Sequence, residues 1–319
     1  QRQMCIRDSC ISMKIAYLIL THVDPGNLKR MVNRLYIPDV TDFFIHVDKK
    51  SDIRPFKDGL ENKNYIHFTS QRLSIYWGGY SICEAELLLM KTAVMSSLQF
   101  ERFFLLSGQD YPLYSNEEIV NTLKNHSEVE YMQAYNLSTI DFPTKIPDRI
   151  EVYHFRDLPI KGKIMRHYIV GGLMRLMKLV PFKKSRYIEY KENRLPIYGG
   201  SQWWILTRAC VEYIIRMMDE TDVFRRYFKT SFAPDELLLQ TIVFNSPFAK
   251  RAMSYRCLGE YPGLEKITFT HYIEYRGGIK IFIEEDFDKL MNSGKMFCRK
   301  VYTLSLIHIS EPTRHAQIS

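Results

Sequence analysis

The chain has 319 residues, a formal net charge of +8 and 46% hydrophobic residues. That length holds one large α/β domain or two small ones, and that apolar content suits a buried core rather than a membrane bundle. No apolar run approaches the roughly 20 residues of a spanning helix, and the six cysteines form no CxxC pair, which argues against a zinc site or a disulfide framework.

From the N-terminus, the first segment to be set aside is Gln1–Ser9 (QRQMCIRDS), and its counterpart at the other end is Leu304–Ser319 (LSLIHISEPTRHAQIS). Both resemble translated transposon-adapter DNA read in opposite orientations: ATG TGT ATA AGA GAC encodes Met4 to Asp8, and CTG TCT CTT ATA CAC ATC encodes Leu304 to Ile309. The competing reading is a pair of natural tails. Residues 1–12 and 304–319 are excluded from the fold as non-native flanks would be, with Met13 taken as the natural start. The run Ile15–Leu20 is too short for a secretory segment, so the protein is expected to stay in the cytosol.

Residues 14–20 read as a fully buried strand, Asn27 to Tyr36 as a helix, and 42–47 and 65–69 as strands by aromatic and β-branched content. Ser81 to Ser97 reads as a helix opened by a capping box of Ser81 and Glu84, 102–106 as a buried strand, and Ser115 to His126 as a second capped helix with Ser115 and Glu118. Residues 130–134 look like a strand. Further on come a strand over Gln202–Leu206, a helix from about Thr207 to Met218, a helix over Pro234–Phe244 with Pro at its start, and strand character in 265–275 and 279–283. Cys83 and Cys210 fall in apolar helical patterns and read as core residues. The β-α-β alternation implies a doubly wound, mostly parallel central sheet with helices on both faces. Ligands bind such sheets at the carboxyl ends of strands, here the loops after residues 20, 47 and 106.

Between Leu158 and Ile188 stand eight Lys or Arg and no Asp or Glu, interleaved with Ile169, Val170, Leu173, Leu176 and Leu179. Such a stretch either lies on an anionic membrane surface or forms a solvated helical excursion with a core-facing stripe. Gly171-Gly172 and Pro181 weaken any single long helix there.

No GxGxxG, GxxxxGK[ST], HExxH or GxSxG occurs, and no Asp-x-Asp follows a buried strand. Val47-Asp48-Lys49-Lys50 pairs one carboxylate with two cations, a poor metal site. Six segments are nonetheless dense in residues that loops do not need for folding: FIHVDKKSD (44–52), IYWGGYS (75–81), LSGQDYP (106–112), PIYGGSQWW (196–204), APDELLLQT (233–241) and MFCRKV (296–301). In order and spacing they resemble the core-2/I-branching β-1,6-N-acetylglucosaminyltransferase family, which includes the peptide O-xylosyltransferases. The resemblance spans nearly all of 14–301.

That resemblance implies a variant of the GT-A nucleotide-sugar fold over one domain, 13–303, acting with no metal and no other cofactor. His22 and Asp48 match the residues that frame the nucleoside, although Asp48 reads equally as a turn residue. Glu236 of Pro234-Asp235-Glu236 matches the catalytic base; otherwise it is a first-turn acid favoured by the helix dipole. An inverting transfer needs one such base, because the acceptor hydroxyl loses its proton as it attacks, whereas a retaining double displacement needs a second carboxylate. Asp235 is then a structural partner. Lys300 and Arg276 match the cations that neutralise the leaving diphosphate, with Arg299 an adjacent candidate, and a solvated basic terminus is the plain alternative. Lys145 and Arg149 match acceptor contacts. Trp77, Trp203 and Trp204 stack on sugar or pack in the core; Ser201 lies in the same motif; Gln109 and Asp110 line the site or fix their loop.

The expectation is an inverting glycosyltransferase that uses a UDP-sugar, with GlcNAc the leading donor, on a glycan, lipid-linked glycan or protein acceptor in surface-polysaccharide synthesis. It is placed in the cytoplasm, with peripheral contact through 158–188 to the anionic inner face of the membrane. The alternatives are a UDP-xylose:protein xylosyltransferase and a non-catalytic nucleotide-sugar- or glycan-binding protein. Nucleic acid is not an expected partner, since no nucleic-acid module is recognisable.

Overall fold

The computed structural model describes residues 13–139, 147–179, 182–253, 270–275 and 277–303. Lys145, Arg276, Cys257, Pro181, the stretch 265–269 and both adapter-like tails lie outside the described residues.

The central sheet is built around β1 (Ile15–Thr21), buried along its whole length. β2 (Thr41–Val47) and β4 (Arg102–Ser107) flank it in parallel, β3 (Ile66–Phe68) follows β2 in parallel, and β10 (Ile205–Thr207) closes the other edge antiparallel to β4. Strands covered on both faces must be apolar at nearly every position, as IAYLIL and RFFLL are. Alternation sorts the two faces. Ala16, Leu18 and Leu20 join a core with α3 (Ser81–Val94) and α7 (Arg208–Glu220). Ile15, Tyr17 and Ile19 join another with α1 (Pro25–Leu35) and α4 (Asn116–Asn125). The doubly wound, mostly parallel sheet with helices on both faces is thus present.

Two main-chain bonds draw the strand ends together: Asp48 N–H donates to the Thr21 carbonyl and Gly108 N–H to the Leu20 carbonyl, both at 2.9 Å. A second sheet, of β5 (Asp110–Pro112), β12 (Phe297–Arg299) and β11 (His271–Ile273), carries the C-terminal motif back beside the exit of β4. β6 (Ala134–Asn136) pairs with β9 (Tyr198–Gly200), and β7 (Tyr187–Tyr190) with β8 (Asn193–Pro196). The short helices α2 (Arg54–Lys57), α5 (Pro147–Glu151) and α8 (Val223–Phe228) complete the connections.

Several local expectations differ from the structure for identifiable reasons. The capping box of α4 forms as expected, but that of α3 does not. Asp157 takes its place, accepting from the N–H groups of Tyr80 at 2.5 Å and Ser81 at 3.1 Å and from the Ser81 hydroxyl at 2.6 Å. A carboxylate at a helix N-terminus satisfies orphan donors and complements the dipole, whatever its place in the chain. The helix expected over Pro234–Phe244 is broken into a 3-10 turn, Pro234–Glu236, and α9 (Leu238–Phe244). The break falls at Leu237, whose backbone (φ −130°, ψ −46°) leaves the helical range between the two pieces. Of the strand expected at 130–134, Glu130 and Tyr131 keep single bridges, to Ala252 and Ile205, and continuous pairing begins only at Ala134; the buried Glu130 carboxylate accepts from the Thr207 N–H and hydroxyl. The strand expected at 202–206 runs instead over Ile205–Thr207. Residues 279–283 form no strand beyond an Ile279 bridge to Tyr275; Asp286 binds Lys280 Nζ and Ile283 N–H and turns the chain.

The basic segment forms one helix, α6 (Lys163–Leu179), through Gly171-Gly172. Two glycines cost only about 0.5–1 kcal/mol each relative to Ala, which lowers a helix's stability without ending it. Among the described residues no helix is long and apolar enough to cross a membrane.

Candidate active site

A cleft of about 410 Å3 opens at the carboxyl ends of β1, β2 and β4, where a doubly wound sheet binds ligands. His22, Asp48, Trp77, Gln109, Ser201, Trp203, Asp235, Glu236, Arg299 and Lys300 all line it. Asp110, Arg149 and Trp204 stand behind the wall. Ten expected residues, nine drawn from all six motifs together with His22, therefore share one concavity.

The first wall is made by strand ends. Asp48 is buried and accepts from Lys50 twice, from its N–H at 2.9 Å and its Nζ at 2.7 Å. Arg72 fixes this turn from below, donating to the carbonyls of Val47 at 2.9 Å and Asp48 at 2.7 Å. His22 is exposed at the rim; desolvation by the cleft wall lowers its pKa, and nearby Asp48 opposes that shift. Gly108 has no room for a side chain: a Cβ there would lie 2.2 Å from Thr21 Oγ1.

The cationic wall depends on a buried carboxylate. Asp110 is fully buried and accepts from Ser107 N–H at 2.6 Å, from Arg299 Nη1 at 2.9 Å and from His271 Nε2 at 3.3 Å. Burial alone would raise its pKa, but Arg299 and His271 outweigh that and hold the carboxyl below its usual range. Asp110 thus fixes its loop, one of the two expected roles. Arg299 also bonds Ser107 Oγ and lies 4.9 Å over the Trp203 ring. Burial, and then the charge of Arg299, lowers the pKa of the neighbouring Lys300.

The carboxylate wall is the 3-10 turn. Glu236 Oε2 pairs with Arg149 Nη2 at 2.6 Å. Burial disfavours the Arg149 cation, but Glu236 outweighs it and raises the pKa of that guanidinium. Asp235 is buried beside them; desolvation first, and then the Glu236 charge, push its pKa up to about 7. One oxygen of Asp235 has no hydrogen-bond partner, and neither has one oxygen of buried Glu86, whose other oxygen accepts from Gln202 Nε2 at 2.7 Å. The three tryptophans separate: Trp77 is 73% exposed at the mouth against Phe232, Trp203 is buried in the wall, and Trp204 is in the core.

Sequence reasoning did not single out Lys50 or Gln202 as site residues, nor Arg72 or Asp157 as their supports. Lys50 stands in the FIHVDKKSD motif and Gln202 in PIYGGSQWW, so membership of a motif was the available signal for both. Arg72 and Asp157 act by reaching main-chain groups far along the chain, which leaves no local pattern. Among the described residues, no group of three or more His, Cys, Asp or Glu is placed to hold a metal ion.

Residues 15–272 match the family described as Core-2/I-Branching enzyme. The chain is similar to Xylosyltransferase 2 of Rattus norvegicus, 26% identical over 244 residues, which cover 74% of this chain and 25% of that protein. It is also similar to Xylosyltransferase 1 of Homo sapiens, 24% identical over 244 residues, with coverage of 74% and 22%. The chain therefore spans about a quarter of the length of these curated relatives. Among solved structures it is similar to TarS 1–349 of S. aureus, with a TM-score of 0.38, 13% identity, and coverage of 77% of this chain and 58% of that one.

Proposed function

The chain belongs to the Core-2/I-branching enzyme family, a family of glycosyltransferases, and from that premise we propose that residues 13–303 form one domain that moves a sugar from a UDP-sugar to a hydroxyl of a glycan or lipid-linked glycan, with inversion and without a metal. The observation that carries the reading is the meeting of Glu236, Arg299 and Lys300 in one cleft at the ends of β1, β2 and β4.

In this reading the acceptor hydroxyl gives its proton to the Glu236 carboxylate as its oxygen attacks the anomeric carbon. The bond from that carbon to the β-phosphate oxygen breaks, and the electron pair leaves on UDP. Cations placed where that charge develops stabilise the transition state. Lys300 is the leading candidate, because Arg299 is already engaged with Asp110; Arg276, outside the described residues, is the other. Arg149 holds Glu236 in place through their ion pair. His22 and Asp48 face the nucleoside. Trp77 offers a ring face to sugar, Trp203 backs Arg299 from within the wall, and Gln109 and Ser201 supply polar lining. The reading extends to surface-polysaccharide synthesis on the cytoplasmic side of a membrane.

A second reading has a specific support: the curated relatives quoted above are named xylosyltransferases. It takes UDP-xylose as donor and a protein hydroxyl as acceptor. UDP release from a panel of UDP-sugars in the presence of EDTA, for wild type and Glu236→Gln, tests both. One donor should be turned over, with EDTA having no effect, and Glu236→Gln should lower the rate by about 10²–10⁴-fold, the usual worth of a general base. Turnover of UDP-xylose alone would select the second reading. Loss of turnover in EDTA, or an unchanged Glu236→Gln rate, would refute the metal-free mechanism or the assigned base.

A further inference from the structure

The outward face of α6 is apolar. At about 100° per residue, Ile164, Met165, Tyr168, Ile169, Leu176 and Leu179 fall within about 140° of arc. All six are exposed, Ile164 to 76% and Leu179 to 80%. On the opposite side Val170 is buried and Leu173 and Met177 are half-buried against the protein. A surface helix ordinarily turns its one apolar stripe inward; α6 has a second stripe turned outward. An exposed patch of this kind marks a contact surface.

Charge selects what covers it. Lys178 is exposed just outside this arc, Arg175 is exposed within it near its Ile164 edge, and Lys161 is exposed just before the helix; no Asp or Glu occurs from Leu158 to Ile188. Tyr168 at 73% and Phe182 at 78% exposure add aromatic rings, which favour the boundary between headgroups and acyl chains. An apolar face with cations in and beside it matches an anionic bilayer, which presents negative headgroups above hydrocarbon.

The helix is also tied to the mouth of the cleft. Arg166 lies 4.4 Å over the Tyr76 ring and bonds the Arg156 carbonyl. Arg156 in turn lies 5.8 Å from the Trp77 ring, and Trp77 lines the cleft.

We infer that α6 docks on an anionic lipid bilayer and holds the cleft mouth, marked by Trp77, at headgroup level. The consequence, that the acceptor is presented from that bilayer on a lipid, rests on the transferase reading; the docking does not.

Cosedimentation with vesicles of phosphatidylcholine, and with vesicles that also contain phosphatidylglycerol, tests the docking. Wild type should bind the anionic vesicles at least about tenfold more tightly than the neutral ones, since each cation near such a surface is worth several-fold. Leu176→Ser/Leu179→Ser and, separately, Arg175→Glu/Lys178→Glu should each lower that binding by about tenfold or more. UDP release in vesicle-free solution should stay at the wild-type rate. Equal binding to both vesicles, or none, overturns the docking. So does a lipid-free dimer, seen by sedimentation, that the apolar variant dissolves, because a second copy then covers the face. Of the three tryptophans only Trp77 is exposed, so quenching by brominated acyl chains reads its depth. Quenching should appear on binding and vanish in Trp77→Phe; binding without quenching overturns the placement of the mouth. Neither readout uses turnover, so a failure of docking and a failure of the transferase reading are told apart.

Discussion

The two halves of the molecule hold their site residues by different means. In the first half, His22, Asp48 and Gln109 sit where strands end, and main-chain bonds such as Asp48 N–H to Thr21 O set their places. In the second half, Glu236 and Arg299 sit on a three-residue turn and a three-residue strand. Their places are set by side-chain charge: Arg149 is 87 residues from Glu236, and Asp110 is 189 residues from Arg299. A position fixed by backbone survives most side-chain changes. A position fixed by a buried ion pair depends on both partners, and loss of one leaves the other charged and uncompensated.

The most damaging test of that contrast is Asp110→Asn. Removing the negative charge leaves the Arg299 cation without its buried partner, and breaking a buried pair this way costs about 3–5 kcal/mol. Chemical denaturation should show that loss. At temperatures where the variant stays folded, the KM for the proposed UDP-sugar donor should rise, because Arg299 is no longer drawn to the β4 exit. A variant as stable as wild type would mean that the Ser107 hydroxyl and the Trp203 ring suffice to hold Arg299, and the charge-clamp account of this half would be wrong.

The next test concerns Asp235. Its folded pKa is raised to about 7, above the ordinary value near 3.9 that it has in the unfolded chain. Between these values the folded state keeps a proton that the unfolded state has lost, so stability falls as pH rises through that window, by at most about 1.4 kcal/mol per pH unit. Asp235→Asn should flatten this slope between about pH 4 and pH 7, changing little at the acid end and gaining stability above neutrality. The comparison is denaturant unfolding of both proteins across that range. An unaltered slope would mean that Asp235 is ionised in the fold and that the turn tolerates two adjacent charges.

The same division explains what could be read from sequence. Strands β1 and β4 announced themselves as apolar runs and β2 by its aromatic and β-branched content, and the cleft opened at their carboxyl ends, where such a sheet is expected to place it. The motifs located Glu236 and Lys300 only through family resemblance, since a three-residue turn has no periodicity. Two of the departures were illegible because their partners lie far along the chain. Asp157 displaced Glu84 at the start of α3, the Glu130 side chain was tied to Thr207, and Asp286 turned the chain after Lys280. Each is a carboxylate that found unexpected donors; Asp157 and Glu130 found theirs more than seventy residues away, whereas Asp286 found its own within six.

The smallest predicted effect tests whether α6 belongs to either class. It is set neither by strand ends nor by a buried charge, and its only buried side chain among the described positions is Val170. Local propensity should therefore govern it. A Cβ at Gly171 or Gly172 would meet nothing within 4 Å, so Ala fits at both without clash. Gly171→Ala and Gly172→Ala should each stabilise the helix by about 0.5–1 kcal/mol. Because so little of α6 is packed, that gain should appear as slower amide exchange confined to residues 163–179 rather than as a higher melting temperature. Uniformly slower exchange through the sheet would tie α6 to global unfolding, and its inward stripe of Val170, Leu173 and Met177 would then be part of the core instead of a hinge for an outward-facing surface.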